Sequence, residues 1–330
     1  MHSGLPFLTA VDMPLFFLIS GFFAPKSTKY SVSEALRRKS VGLLKLTFIY
    51  LAVFSALAPV LALIPGAGPQ VASPFQWFTV QALFIDPLFY QPFQPFIAPL
   101  WFVPTLWWAM LLWIATRGMY EDFKAFPLAK KLQILAFLGI VFVAAVRSPN
   151  LDQSRAIGFV ARTLYAYVFV CLGFILFLYK DDILYGRWRP ILLALAALSL
   201  VFKAVFWNGL PPMDIRSMSF GHEARYYTIL VSFSGIALVF VLAQVLNRFR
   251  MLGRFFRYAG EKSFHIMCLH SLGHVLFVHA PLSWAGLSIA KAGWPFSGLI
   301  FISAGLAFSL LVVALLDKAK TLLAPGTAAG

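Results

Sequence analysis

The chain has 330 residues, of which 61% are hydrophobic, 17% aromatic and only 12% charged. That balance excludes a soluble globular domain of ordinary composition, in which roughly a quarter of the residues are charged, and makes a bilayer the solvent. The formal net charge of +15 does not point to nucleic acid, because the charges fall between apolar stretches and on one side of them; two cysteines, Cys171 and Cys268, are too few for a disulfide framework or a cysteine-based zinc site.

A hydrocarbon core of about 30 Å takes roughly 20 apolar residues per helical span. Nine candidate spans follow in chain order, at about 5–24, 41–64, 99–117, 132–146, 159–178, 190–207, 226–246, 263–280 and 296–316. The expected fold is therefore all-α, a polytopic integral-membrane helical bundle. The span at 132–146 is short, and a further apolar stretch at 75–90 is broken by Asp86-Pro87 and followed by Pro92, Pro95 and Pro99. It reads as a re-entrant or interfacial piece.

The segments 25–45, 117–131, 179–189, 247–262 and 317–330 hold 20 of the 27 lysines and arginines, and the rest of the chain holds 7. The positive-inside rule puts the first set in the cytoplasm, so residue 1 is expected outside and residue 330 inside, with 318–330 a short cytoplasmic tail. Residues 1–10 contain no basic n-region of a cleavable signal peptide. No repeat, low-complexity tract or soluble domain is visible, and 1–330 is expected to be one membrane domain.

Familiar catalytic motifs are missing. "GHEARYY" opens like a zinc-protease helix, yet Tyr226 stands where the second histidine belongs, and there is no nucleophile elbow, P-loop or dinucleotide fingerprint. Catalysis must come from residues within or beside the spans. Four of the six histidines, His265, His270, His274 and His279, crowd into one span, with His270 and His274 on one helix face. Ionisable groups within a membrane face the bundle interior and mark function by default; packing against neighbouring helices is the alternative. No Asp or Glu accompanies them in that span, so no metal is expected. Arg37, Arg38 and Lys39 precede the second span, either as a topology signal that also contacts lipid or as a seat for a phosphorylated cytosolic donor. On the other face, Arg147, Asp152, Arg155 and Arg162 in one region and Asp214, Arg216, His222, Glu223 and Arg225 in another either bind a sugar or pair with one another and with headgroups.

Four separated pieces, "MPLFFLISGFF" (13–23), "RRKSVGLLKLTFIY" (37–50), "PLWFVPTLWW" (99–108) and "GEKSFHIMCLHSLGHVLF" (260–277), resemble the acyltransferase-type-three family of integral-membrane acyltransferases. The likeness is to its short forms, similar to the periplasmic glucan succinyltransferase and O-antigen acetylases. Phe16, Phe17, Ser20, Gly21 and Phe22 match the family's second-helix motif, Arg37 or Arg38 the arginine before its third helix, and Trp101-Phe102 its Trp-Phe pair. Ser263 and His270 match the late serine and histidine, with Met267 in place of the usual tyrosine.

The resemblance implies transfer of an acetyl, succinyl or similar group from acyl-coenzyme A to a hydroxyl of a carbohydrate or glycolipid, in the bacterial inner membrane and among lipids as neighbours. It implies His270 as catalytic, with Ser20 in support; Arg37, Arg38 and Gly21 at the donor; and Trp101, Arg155, Arg162 and Glu223 at the acceptor. The family places one further helix, carrying a catalytic histidine, before the "FFLISGF" span. Ten spans are expected in the full fold, and this chain is expected to lack the first; His2 is the remaining stand-in for that histidine. A transporter or flippase without acyl transfer, or an inactive truncated remnant, is the alternative.

Overall fold

The fold was obtained as a computed structural model, which describes residues 6–61, 85–89, 98–148, 154–205, 213–214, 219–220, 224–285 and 296–323. In chain order the helices are α1 (Pro6–Phe22), α2 (Pro25–Thr28), α3 (Val32–Leu61), α4 (Asp86–Phe89), α5 (Phe102–Thr116), α6 (Leu128–Arg147), α7 (Arg155–Leu178), α8 (Lys180–Leu184), α9 (Arg189–Val205), α10 (Ala224–Asn247), α11 (Arg250–Glu261), α12 (Ser263–His274), α13 (Ala280–Trp284) and α14 (Phe296–Leu323). A π turn, Val275–His279, joins α12 to α13. The one strand pairing among the described residues is a two-residue antiparallel pair, β1 (Met213–Asp214) with β2 (Ser219–Phe220), in which Met213 faces Phe220.

Among the described residues, five helices are long and apolar enough to cross a membrane, over Val32–Leu57, Leu128–Arg147, Ala156–Leu178, Leu230–Asn247 and Leu299–Lys318. The other predicted spans fall on shorter or interrupted helices: α1 contains Pro14, α5 has 15 residues, α9 has 17, and the 263–280 span is divided by the π turn.

Local chemistry explains where the elements depart from expectation. The basic stretch 25–45, expected as a connection between two spans, is helical over Pro25–Thr28 and from Val32 onward. Ser31 accepts a hydrogen bond from the Glu34 amide at 3.3 Å, and Glu34 then reaches Arg37 and Arg38 at the following i+3 and i+4 positions. A serine followed three residues later by glutamate is the sequence form of a capping box, and it starts α3 ahead of its apolar part. The span at 132–146 is not short, because α6 begins at Leu128 directly after Pro127 and runs 20 residues. Segment 247–262 carries α11, whose Arg250, Arg254 and Arg257 alternate with the exposed Met251, Phe255, Phe256 and Tyr258. Most of 75–90 lies outside the described residues; its described end, α4, packs on α5, where the Trp108 indole donates to the Leu88 carbonyl at 3.2 Å.

The residues fall into two compact units. The first comprises Met1–Thr47, Ile85–Tyr90 and Trp101–Leu246; the second comprises Phe48–Phe84, Gln91–Leu100 and Asn247–Gly330. In the first unit α7 is the central helix and packs on α1, α5 and α6. Its Tyr165, Phe169, Val170 and Cys171 are fully buried. Two glycines set the α1–α7 crossing: a Cβ on Gly21 would run into the Val170 carbonyl, and one on Gly173 into the Leu18 carbonyl. Small residues that let two backbones meet are the usual basis of helix association in lipid, where no hydrophobic force separates helix from solvent. In the second unit α12 packs on α14 through Gly273 and Gly305, and a 2.6 Å bond from the Lys262 ammonium to the Asp317 carboxylate pins one end of the seam.

Candidate active site

On the basic side of the first unit, one carboxylate serves two guanidiniums. Arg37 Nε lies 3.0 Å and Arg38 Nε 2.6 Å from the Glu34 carboxylate, yet the two arginine side chains remain 71% and 56% exposed. Two cations on one anion leave a net positive charge facing water. The Arg38 guanidinium also lies 4.3 Å over the Tyr30 ring, and the Tyr30 carbonyl accepts from Arg117 at 3.0 Å. The segment leading into α3 and the residue that follows α5 thus meet in a cationic surface.

Ser20 and Gly21 lie at the end of α1. The Ser20 hydroxyl donates to the Phe16 carbonyl at 2.8 Å, so its hydrogen is engaged within the helix. Gly21 meets the backbone of α7.

Trp101 and Arg162, singled out separately in the sequence, come together: the guanidinium lies 5.2 Å from the Trp101 ring, and both residues are buried. A desolvated arginine over an indole gains from the ring's negative face. Next to them, Phe102 meets Phe16 of α1 edge-on at 4.8 Å. Arg162 lies seven residues into α7, about 10 Å along its axis at 1.5 Å per residue. Arg155 opens α7, with its side chain outside the described residues, as are His2 and Glu223 altogether.

The second unit holds the histidines. His270 Nδ1 lies 2.8 Å from the Met267 carbonyl. A carbonyl only accepts, so Nδ1 is the donor and the neutral ring keeps its lone pair on Nε2. The His270 and His274 rings stand edge to face at 5.3 Å, and His274 and His279 each meet the Phe301 ring at 5.2 Å. Gly305 makes room for this group, since a Cβ there would lie 2.6 Å from His274 Nε2. His265 is turned to a different neighbour and shares a 2.7 Å hydrogen bond with the Tyr50 hydroxyl. Lys262, outside the spans, has its pKa raised by the hydrogen bond to Asp317.

Sequence reasoning missed Gly173, Gly305 and Ser309, although the pattern Gly305-x-x-x-Ser309 is a recognisable small-residue packing signal. It also passed over Asp12, a carboxylate within α1 that accepts from the Met13 amide at 2.7 Å; an ionisable residue in so apolar a helix was itself the signal.

Long apolar helices joined by buried small-residue crossings are those of an integral-membrane protein. The sequence matches the acyltransferase domain of the type-three family over residues 1–318, and the chain belongs to that family of membrane acyltransferases. No curated protein and no solved structure matches it.

Proposed function

We propose that this acyltransferase moves an acetyl, succinyl or similar group from a coenzyme A thioester to a hydroxyl of a carbohydrate or glycolipid, in a bacterial inner membrane crossed nine times. His270 is the proton-transfer residue. The observation that supports this reading most is the Nδ1 hydrogen bond to the Met267 carbonyl, which leaves Nε2 as the basic nitrogen of the neutral ring. Nε2 takes the acceptor hydroxyl's proton as its oxygen attacks the thioester carbonyl, and hydrogen-bond donors steady the tetrahedral oxyanion. The carbon–sulfur bond then breaks, and the departing thiolate takes the proton back from the imidazolium.

Arg37 and Arg38 hold the donor's phosphates, a role suited to exposed planar guanidiniums. Ser20, whose oxygen is left only as an acceptor, supports the donor end, and Gly21 contributes there by fixing α1 against α7. Trp101 and Arg162, with Arg155 and Glu223, receive the sugar, and His2 is a further source of a base. No metal takes part in this scheme.

The test is transfer of radiolabelled acetyl or succinyl from coenzyme A to membrane glycans by His270→Gln at matched abundance. The expected loss is about 10² to 10⁴ in rate, the usual contribution of a general acid–base group. Turnover within twofold of wild type would remove His270 from the chemistry.

A further inference from the structure

A cavity in the first unit plays no part in this scheme. It is a groove of about 630 Å³ enclosed by α1, α6, α7, α8, α9 and α10 and lined by such residues as Leu132, Leu135, Leu172, Leu176, Leu192 and Phe240. Its volume is that of a small-molecule site, for which roughly 300–1,000 Å³ is usual. No histidine, cysteine, serine, aspartate or glutamate lines it, and its lining is that of a binding site.

Three cations line one end of the groove. Lys131 lies near the start of α6, Lys180 opens α8, and Arg187 precedes α9. Their heads are tethered: the Lys131 ammonium donates to the Lys124 carbonyl at 2.9 Å, Lys180 lies 4.6 Å over the Phe177 ring, and Arg187 lies 5.4 Å over Trp188. Among the described residues none of the three is in an ion pair. From this cationic end the apolar lining extends from Lys180, at the start of α8, back along α7 to Leu172, eight residues or about 12 Å at 1.5 Å per residue. That length is close to one leaflet's share of a hydrocarbon core of about 30 Å.

We infer that the groove is a specific site for an anionic glycerophospholipid of the lysine- and arginine-rich leaflet, cytoplasmic by the positive-inside rule, with its acyl chain in the groove and its phosphate on Lys131, Lys180 and Arg187. A coenzyme A ester fits less well: its phosphates are separated from the acyl chain by the whole pantetheine arm, whereas here the cations border the apolar lining directly. A glycerophospholipid carries phosphate and chains on adjacent carbons, as this lining requires. The assignment is independent of the acyl-transfer reading.

The experiment uses the full chain in phosphatidylcholine nanodiscs with a trace of phosphatidylglycerol carrying a photoreactive group in its acyl chain, followed by peptide mapping. Label is expected in peptides covering 128–135 and 172–192, displaced by unlabelled phosphatidylglycerol at a concentration at least tenfold lower than phosphatidylcholine, and unaffected by glycerol phosphate. K131Q/K180Q/R187Q should abolish that preference, and K131R/K180R/R187K should retain it. Leu172→Trp, which fills the groove and leaves the cations in place, should lose the label from both peptides. Equal displacement by phosphatidylcholine would make the groove an ordinary lipid-facing surface, and displacement by glycerol phosphate would make it a headgroup site only. Protein–protein cross-links at these residues without lipid label would assign it to a second copy of the chain. Each of these results overturns the inference.

Discussion

Gly305→Ala tests whether the α12–α14 seam holds the histidines in a functional position. The new Cβ would lie 2.6 Å from His274 Nε2 and 3.2 Å from His270 Cβ, against an ordinary contact of 3.4 Å or more. His274 must therefore move by 0.8 Å, the difference between 3.4 and 2.6 Å, and the His270 main chain by 0.2 Å. The His274 ring cannot simply turn aside, because the Phe301 and His270 rings flank it at 5.2 and 5.3 Å. Overpacking of this kind costs about 1–3 kcal/mol, and because His274 packs edge to face on His270, its shift of nearly 1 Å is passed to the proton-transfer ring, where displacement on that scale costs up to about a hundredfold in rate. Acyl transfer at matched abundance should thus fall by about ten- to a hundredfold. Stability is read from Cys268, which is 1% exposed on α12, as its rate of modification by a thiol-reactive dye in a Cys171→Ser background. One to three kcal/mol of lost stability corresponds to a rise of about 5- to 150-fold in the open fraction and hence in labelling. Gly273→Ala is the milder companion, since its Cβ would meet Phe308 Cβ at 2.9 Å and needs a shift of only 0.5 Å to reach 3.4 Å. If Gly305→Ala leaves both transfer and Cys268 labelling within twofold of wild type, the seam does not control the site.

Glu34→Gln frees two guanidiniums and should lower the KM for the acyl donor, while Arg37→Gln with Arg38→Gln should raise it; equal KM values across the three would remove the phosphate seat. Tyr50→Phe deletes the hydrogen bond between Tyr50 and His265 and should lower stability by about 0.5–1.5 kcal/mol, the net contribution of one such bond, measured by thermal unfolding in detergent. Lys262 has its pKa raised by Asp317 above the ordinary 10.5, so its stabilising effect is fully present below that value and is lost only as pH rises past it. The melting shift caused by Lys262→Gln should therefore be the same at pH 7 and pH 9, and a difference between them would contradict the pairing. Cysteines placed at Ser33 and Ser148 should be respectively protected from and open to an impermeant reagent in intact cells, and the reverse pattern would invert the topology.

What the sequence disclosed, and what it withheld, follows the range of each interaction. Five of the nine predicted spans, those at 41–64, 132–146, 159–178, 226–246 and 296–316, were legible on helices long and apolar enough to cross, because apolar composition is summed over about 20 residues and needs no partner. The helical start of α3 was legible in principle, since Ser31 and Glu34 lie three residues apart, but a run of charge masks a capping box when read only as a loop. The Trp101–Arg162 pair joins residues 61 positions apart on α5's leading turn and α7, and no local pattern announces it. Likewise the role of Gly305 is defined by His274 on another helix. His270 stood out because its matching motif lies within one helix; its Nδ1 bond, made to the carbonyl three residues earlier, was within reach of helical geometry.

The position of α7 also bears on how the protein is made. Three of the helices it packs against, α1, α5 and α6, leave the ribosome before it does. From Phe22 at the end of α1 to Leu178 at the end of α7 the chain runs 156 residues, which at about 5–20 residues per second takes roughly 8–30 s to synthesise. For that interval α1, interrupted by Pro14 and bearing Asp12, sits in lipid or against the insertion machinery without its final neighbour. Biogenesis of this enzyme is therefore a waiting problem: α1 cannot settle until much of the chain that follows it has been translated.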